Sequence, residues 1–220
     1  MIMRDIAIYG AGGLGREVAC LIRIINDSLP ANEEKWNLIG FFDDGKAIGE
    51  EIFSFGKVLG GINELNGWNK ELNVALSFGA PKTLEFVRNR IENPLISFPN
   101  LIHPSFVIQD KENFSIGEGN IIKIDCRVST NVSIGDFNLL NSSNNFGHDA
   151  EVGNYNVFMP GTRISGSTKI GERNLFGAMS FVHQGIKIGN DVILSPLSAL
   201  LRKPKDGMTY IGNPATRFKL

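Results

Sequence analysis

The second half of the chain repeats one apolar position every six residues. Starting at Ile116, fourteen consecutive units of six residues open with an apolar side chain. Because 42% of all residues are hydrophobic, chance would give such a run about 5 times in a million. The openers are Ile116, Ile122, Val128, Ile134, Leu140, Phe146, Val152, Phe158, Ile164, Ile170, Phe176, Val182, Ile188 and Leu194. The pattern predicts short strands with a strict six-residue period.

Glycine groups these units in threes. Every third opener is an aliphatic residue followed by glycine, from Gly117 to Gly189, at intervals of 18 residues. Three units therefore form one coil in which the same corner recurs. The fifth position of most units holds a compact residue, such as Asn138, Asn156 or Thr162. We expect the first and fifth positions to point inward and the asparagines to occupy left-handed corners, which gives a parallel β-helix of about five coils.

A different pattern opens the chain. The apolar residues 5–9 lead into a glycine-rich segment at 10–15, and helical spacing follows from 18 to 25. This order predicts a strand, a tight turn and a helix. The N–H groups at the start of such a helix favour phosphate, and Gly10-x-Gly12-x-x-Gly15 matches the dinucleotide-binding fingerprint. A plain strand–helix turn without a ligand is the alternative.

Two more strands follow in the first hundred residues. Residues 37–42 form an apolar run that ends in Asp43 and Asp44, where a Rossmann-like unit offers a carboxylate to a ribose hydroxyl. Residues 74–78 form another run, which ends at Gly79. We therefore predict a small α/β Rossmann-like nucleotide-binding domain over residues 1–100 and an all-β parallel β-helix over residues 101–220.

Composition removes several functional classes. The net charge of −1 gives no sign of a nucleic-acid or anionic membrane surface, and no apolar run is long enough to cross a bilayer. No secretory signal is evident, and two cysteines, Cys20 and Cys126, fit a reducing compartment. We expect a cytoplasmic protein in which both cysteines lie in the core. The 25 glycines exceed the average of about 15, and their positions assign them to the turn and the corners.

The order of motifs resembles a known family. The glycine turn with its two aspartates, the segment 101–105, the repeat with Asn141 and His148-Asp149, and the terminal segment 211–215 look like sugar O- and N-acyltransferases. The matching members are the sialic-acid O-acetyltransferases and the UDP-4-amino-sugar N-acetyltransferases, all of the hexapeptide-repeat type. The resemblance implies a left-handed β-helix, a homotrimer, acetyl-CoA bound between neighbouring prisms, and a nucleotide sugar as acceptor.

Only three histidines are present, and His148 is the candidate general base. It occupies the third position of its unit, so its side chain should project outward, and a neutral imidazole suits proton abstraction near neutral pH. The resemblance implies that His148 takes the acceptor's proton for direct transfer and that Asp149 orients it. Adjacent strand residues point to opposite sides, so a corner is needed to bring the two together. A solvent-exposed histidine without catalytic function is the alternative.

The resemblance also implies two sets of binding residues. The nucleotide sugar would be held by Gly12, Gly13, Leu14, Asp43, Asp44 and Gly79. Acetyl-CoA would be bound by Asn141, Val157, Gly166, Ala178 and Pro196, with the Gly166 N–H facing the thioester oxygen. Leu14, Val157 and Pro196 depart from the pattern, and Pro196 has no N–H to donate.

Other polar residues have weaker functional indications. His103 precedes a proline and is expected to be structural, and His183 lies about two coils from His148, so we expect no metal site. Residues 200–220 carry a net charge of +4. Their cations are Arg202, Lys203, Lys205, Arg217 and Lys219. They would either hold the CoA phosphates or form an ordinary solvated terminus.

The sequence therefore favours an acetyl-CoA-dependent acetyltransferase that modifies an amino or hydroxyl group of a nucleotide-activated sugar. A sialic-acid-type O-acetyltransferase is the nearest alternative. An NAD(P)-dependent oxidoreductase would use the same glycine turn, but 28 residues separate Gly15 from Asp43, against about 20 in the usual fingerprint. A non-catalytic trimeric scaffold also stays open.

Overall fold

The structure is a computed structural model that describes residues 3–218. The chain separates into two compact units. One runs up to Gly79 and includes Thr83–Pro104, and the other comprises Ala80–Lys82 and the chain from Ser105 onward. Among the described residues, no helix combines the length and apolar character that a membrane crossing requires.

The first unit is built on a parallel sheet. The strands of this sheet are β1 (Met3–Tyr9), β2 (Lys35–Phe42), β3 (Val58–Gly60), β4 (Leu72–Leu76) and β5 (Ile96–Ser97). The same part of the chain contains the short strand β6 (Leu101–Ile102) and the helices α1 (Gly13–Ser28), α2 (Ile62–Asn66) and α3 (Pro81–Arg90). The first five strands pair in the order β3-β2-β1-β4-β5, all parallel. The chain passes from β1 to β2 on one side and later from β3 to β4 on the other. This reversal creates a switch point between β1 and β4, where open α/β sheets bind ligands.

The core of this unit follows from the apolar pattern. The last four residues of β1 are fully buried, and α1 buries Val18, Ala19, Leu21 and Ile22 at helical spacing. The predicted β1, α1, β2 and β4 are therefore present, and the Rossmann-like class is confirmed. The short strands β3 and β5 were not predicted, because two or three residues carry too little periodicity to be recognised.

The second unit is a three-sided parallel β-helix. Its strands from β7 to β14 are Val107–Ile108, Ser115–Ile116, Ile121–Ile122, Arg127–Val128, Ser133–Ile134, Leu139–Leu140, Asn145–Phe146 and Glu151–Val152. Those from β15 to β22 are Val157–Phe158, Arg163–Ile164, Lys169–Ile170, Leu175–Phe176, Phe181–Val182, Lys187–Ile188, Ile193–Leu194 and Ala199–Leu200, followed by β23 (Thr209–Gly212) and β24 (Ala215–Arg217).

From β7 to β22, each strand pairs in parallel with strands three places away along the chain, whereas β23 pairs with β21 and, antiparallel, with β24. Leu139 lies beside Val157, for example, so the register is 18 residues and the predicted coil is confirmed. The three faces run in the orders β22-β19-β16-β13-β10-β7, β20-β17-β14-β11-β8 and β24-β23-β21-β18-β15-β12-β9. Opener side chains fill the interior, where the rings of Phe158 and Phe176 stack with centroids 4.7 Å apart. Unit openers thus form the core, as the six-residue period predicts.

The corners differ from the prediction in one respect. The left-handed residue is at the fourth position of each unit, as in Phe137, Asp149 and Tyr155, and not at the asparagine-rich fifth position. The expectation that the fifth-position asparagines would occupy these corners is therefore wrong, although one fourth-position corner, Asn131, is an asparagine. Once the fourth residue has turned the chain, the fifth points inward, so Asn138 and Asn156 are almost completely buried.

The buried asparagines form a hydrogen-bonded ladder. The Asn156 Nδ2 donates to Asn138 Oδ1 at 3.1 Å and to the Gly171 carbonyl at 2.9 Å. The Asn156 Oδ1 in turn accepts from the backbone N–H and the side-chain amide of Asn174, both at 2.9 Å. Each amide therefore joins its own coil to the next and satisfies buried polar groups that would otherwise be costly.

A second ladder explains the glycine at every eighteenth position. The Asn154 Oδ1 accepts the N–H of Asp136 at 2.7 Å, and this places the oxygen directly over the Cα of Gly135. A Cβ at Gly135 would collide with that oxygen and with the Gly153 backbone. The glycine is therefore required by close approach between coils, and the sequence period reports that contact.

Replacing Asn156 with alanine should destabilise the β-helix by at least about 2 kcal/mol, because buried donors and acceptors on two neighbouring coils lose their partners. Urea unfolding with fluorescence detection measures the change. Asn145→Ala is the matched control, since Asn145 stands on the outer face of β13 and its loss should cost less than about 0.5 kcal/mol. Equal losses for the two variants would contradict a stabilising function of the ladder.

Candidate functional site

In the first unit, the predicted glycines lie at the sheet's switch point. Gly12 and Gly13 follow β1 and start α1, and Gly79 follows the neighbouring strand β4. A side-chain carbon at Gly12 or Gly79 would have no atom within 4 Å, and Leu14 beside them is half-buried. No side chain caps α1 at Gly12. The open space and the N–H groups of the first turn suit an anionic ligand.

Asp43 has structural contacts at the end of β2. Asp43 accepts the N–H of Ala11 through Oδ2 and that of Gly45 through Oδ1, both at 2.8 Å. Asp43 therefore ties the end of β2 to the glycine turn. A carboxylate has about four acceptor positions, so room for a ribose hydroxyl is left, and that function stays a prediction.

Asp44 joins three parts of the first unit. It accepts the Tyr9 hydroxyl at 3.0 Å and the first N–H of α2, from Ile62, at 2.9 Å, and its Oδ2 lies 3.3 Å from the Arg90 guanidinium. Burial of the phenol, followed by the hydrogen bond to Asp44, raises the pKa of Tyr9. The negative charge of Asp44 is thus held at the edge where the glycine turn lies.

In the second unit, His148 and Asp149 are in direct contact. The His148 Nδ1 is 2.8 Å from Asp149 Oδ2, and both side chains are about half exposed, at 50% and 51%. Asp149 is the left-handed corner residue of its unit, with φ of 56°. The corner therefore supplies the turn that adjacent strand residues need to face each other, and it leaves His148 Nε2 unused by the aspartate.

Asp149 has a second partner that the sequence reading missed. The Asn131 Nδ2 donates to the other carboxylate oxygen, Oδ1, at 2.7 Å. The Asn131 amide, and then His148, hold the pKa of Asp149 below its usual range. The available signal was the 18-residue spacing between Asn131 and Asp149, which stacks the two side chains at one corner.

The backbone of Gly166 lies against the His148 ring. Gly166 occupies the same corner one coil further on, and a Cβ there would come within 2.5 Å of His148 Nε2 and 2.7 Å of Cε1. The ring nitrogen that faces away from Asp149 is therefore next to the backbone predicted to bind the thioester oxygen. A base and a backbone donor side by side suit acyl transfer.

The remaining predicted acetyl-CoA residues are more widely spread. Ala178 and Pro196 stack one coil apart at another corner, where Leu197 donates its N–H to the Ala178 carbonyl at 2.9 Å. Asn141 is buried and accepts the Lys123 ammonium at 2.8 Å. Val157 is fully buried in β15 and donates its N–H to Asn174. The Val157 side chain therefore offers no exposed surface in this unit, and binding by these four residues stays a prediction.

The structure also describes the surroundings of the two cysteines and of His183. Cys126 is buried, donates to the Asn141 carbonyl at 2.9 Å and has its pKa raised to about 11 by burial. Cys20 is exposed, so the expectation that it lies in the core is wrong; it falls on the outer face of α1. The His183 Nδ1 contacts the carbonyl of Gln184 at 3.2 Å. Of the predicted basic tail, the described cations are exposed, and Lys219 lies outside the described residues.

Comparison with known proteins supports this assignment of the fold. Residues 5–91 match the family of the PglD N-terminal domain. The acetyltransferase domain of PglB from Neisseria gonorrhoeae FA1090, in complex with acetyl coenzyme A, superimposes with a TM-score of 0.83 at 25% identity. The match covers 98% of this chain and 99% of that one. No curated protein sequence matches significantly.

Two other solved structures share the fold over the whole length. A mutant of perosamine N-acetyltransferase from Caulobacter crescentus, in complex with CoA and GDP-perosamine, has a TM-score of 0.84 at 20% identity and covers 98% of this chain and 97% of its own. WeeI from Acinetobacter baumannii AYE has a TM-score of 0.84 at 23% identity, with 98% and 100% covered. These matches confirm the predicted left-handed β-helix.

Replacing Asp44 with alanine should destabilise the protein by about 1–2 kcal/mol, because the Tyr9 hydroxyl, the first N–H of α2 and the Arg90 charge all lose their acceptor. The pKa of Tyr9 should fall toward its ordinary value, since the carboxylate raises it. Urea unfolding and an ultraviolet absorbance titration of tyrosine test the two effects. The control Asp27→Ala, at the exposed end of α1, should change neither.

Proposed function

We propose that this protein is an acetyl-CoA-dependent acetyltransferase that acts on an amino group of a nucleotide-activated sugar. The observation that carries the proposal is the contact of His148 Nδ1 with Asp149 Oδ2, with His148 Nε2 lying beside the Gly166 backbone. Similar folds are seen in a PglB domain with acetyl-CoA and in a perosamine N-acetyltransferase with CoA and GDP-perosamine. A hydroxyl acceptor, as in a sialic-acid-type O-acetyltransferase, would use the same residues.

His148 acts as the general base in this proposal. Its Nδ1 donates to Asp149, so the lone pair is on Nε2, which can take a proton. The lone pair of the acceptor amine attacks the thioester carbonyl, and Nε2 takes the proton that the nitrogen loses. When the carbon–sulfur bond breaks, the proton passes to the departing CoA sulfur. The negative Asp149 stabilises the imidazolium that forms in between.

Gly166 would stabilise the oxyanion of the tetrahedral intermediate. A backbone N–H is a suitable donor because it is fixed before the reaction and needs no reorganisation. Gly166 also leaves room for the His148 ring, which a larger residue would displace. One residue thus provides both a donor and the space beside the base.

The glycine turn of the first unit would bind the nucleotide part of the acceptor. Support comes from the open space at Gly12 and Gly79, the uncapped start of α1, and the match of residues 5–91 to the PglD N-terminal domain. Asp43 and Asp44, which already brace this edge, keep lone pairs that can accept sugar hydroxyls.

The proposal includes a homotrimer with acetyl-CoA between neighbouring prisms. Exposed apolar side chains at one corner of the β-helix support it, since Met179 and Leu197 are 63% and 75% exposed and lie one coil apart. Apolar residues grouped in this way are typical of a covered surface. Cytoplasmic location is part of the same proposal, because two free cysteines fit a reducing compartment.

Replacing His148 with alanine should lower the rate of acetyl transfer by about 10²–10⁴-fold, because the acceptor loses its base. The measurement is thiol release from acetyl-CoA with a panel of UDP-, GDP- and dTDP-linked 4-amino sugars, with sialic acid included. An unchanged melting temperature serves as the folding control. The proposal would be overturned if none of the tested sugars supported thiol release, or if the His148→Ala variant kept most of its activity.

Replacing Gly166 with alanine should lower kcat by at least about tenfold, because the new Cβ would displace the His148 ring and so move Nε2 away from the acceptor. The Gly166 backbone lies outside the left-handed region, so the substitution brings no backbone strain there. Gln184→Ala is the control, because Gln184 occupies the same corner one coil further on and is exposed. Equal kcat values for the two variants would contradict the proposal that the Gly166 backbone lies against the catalytic His148.

A further inference from the structure

The aspartate beside the proposed base is held by a residue from the neighbouring coil. Asn131 and Asp149 are both fourth-position corner residues, with φ of 52° and 56°, and they stand 18 residues apart in one column. Their side chains meet on the exposed edge of the β-helix, where Asn131 Nδ2 lies 2.7 Å from Asp149 Oδ1. The carboxylate therefore has one oxygen on the Asn131 amide and the other on the His148 ring.

The backbone beneath this contact is held at Asp149 independently of it. The Asp149 N–H donates to the Thr130 carbonyl at 3.0 Å. The corner thus has its own supports, and the Asn131 amide is available to orient the carboxylate.

An exposed aspartate needs such an orienting contact. The Asp149 side chain is 51% exposed, so without a second partner its carboxylate would rotate among several positions. The position observed presents Oδ2 to His148 Nδ1 and leaves Nε2 beside Gly166. A donor on Oδ1 selects this position, because the two oxygens then have fixed partners on opposite sides.

We propose that Asn131 is a positioning residue for the transfer reaction: its amide holds Asp149 in the orientation that aligns the His148 imidazole. This inference rests on the proposed function, since it assigns Asn131 to the same base. Asn131 acts through Asp149 and does not itself contact the reacting atoms. The chain of contacts is Asn131 Nδ2 to Asp149 Oδ1, and Asp149 Oδ2 to His148 Nδ1.

Asn131→Gly separates this function from a structural one. Glycine adopts the left-handed conformation as easily as asparagine, so the corner is kept and only the amide is lost. We expect kcat to fall about tenfold to a hundredfold, with KM for both substrates changed by less than about twofold. Ser143→Gly is the matched control, because Ser143 is also an exposed left-handed corner residue, with φ of 61°. It should keep the kcat of the unmodified protein.

A double-mutant cycle tests whether the effect passes through Asp149. If Asn131 acts on the aspartate, Asn131→Gly should have almost no further effect on kcat in an Asp149→Asn background. Nitrogen NMR of the His148 ring adds a readout that does not depend on turnover, since the balance between its two tautomers should shift in Asn131→Gly. Independent, multiplying losses in the cycle would overturn the proposal, as would an unchanged kcat for Asn131→Gly.

The outcomes distinguish this inference from the proposed function. If His148→Ala keeps its activity, the base assignment fails. If His148→Ala is inactive and Asn131→Gly has normal kcat and an unchanged ring spectrum, only the inference about Asn131 fails. A loss of kcat in both Asn131→Gly and Ser143→Gly would show that kcat is sensitive to any corner substitution, and it would contradict a specific positioning function of Asn131.

Discussion

The 18-residue register between coils is the constraint on which the β-helix depends. The strands from β7 to β22 hold only two residues each, so the backbone pairing of any single strand gives little specificity. Side chains supply the remaining specificity. The buried asparagines form one ladder between coils, and contacts such as that of Asn154 with the Asp136 N–H, above Gly135, form a second. A slip by one residue would turn the interior phenylalanines outward and bury their neighbours, which makes alternative registers expensive.

The same register assembles the proposed active site. His148 meets Gly166 because the two are 18 residues apart, and Asp149 meets Asn131 for the same reason. A base, its orienting carboxylate, an amide that holds the carboxylate, and a backbone donor thus come from three successive coils. The proposed catalytic geometry requires no loop of its own, since stacked corners already fix the side chains.

In the first unit, the residues proposed to bind the nucleotide also have structural contacts. Asp43 and Asp44 follow β2 because a parallel strand ends there, and their carboxylates satisfy N–H groups of the glycine turn and of α2. These contacts hold the turn while Gly12, Gly13 and Gly79 keep open space above the switch point. The edge therefore stays preformed without a side chain filling it, as a phosphate site requires.

The sequence by itself determined the repeat, the coil length, the main strands of the first unit and the position of His148, because periodic burial leaves a direct trace in residue type. It did not reveal β3 and β5, the exposure of Cys20, or the left-handed corner at the fourth position. The 18-residue spacing placed Asn131 and Asp149 at one corner, but it did not show that their side chains are hydrogen-bonded. Tertiary structure decided these points, since a corner's φ, a side chain's partner and a helix's outer face depend on contacts between distant coils or elements, which residue identity alone does not encode.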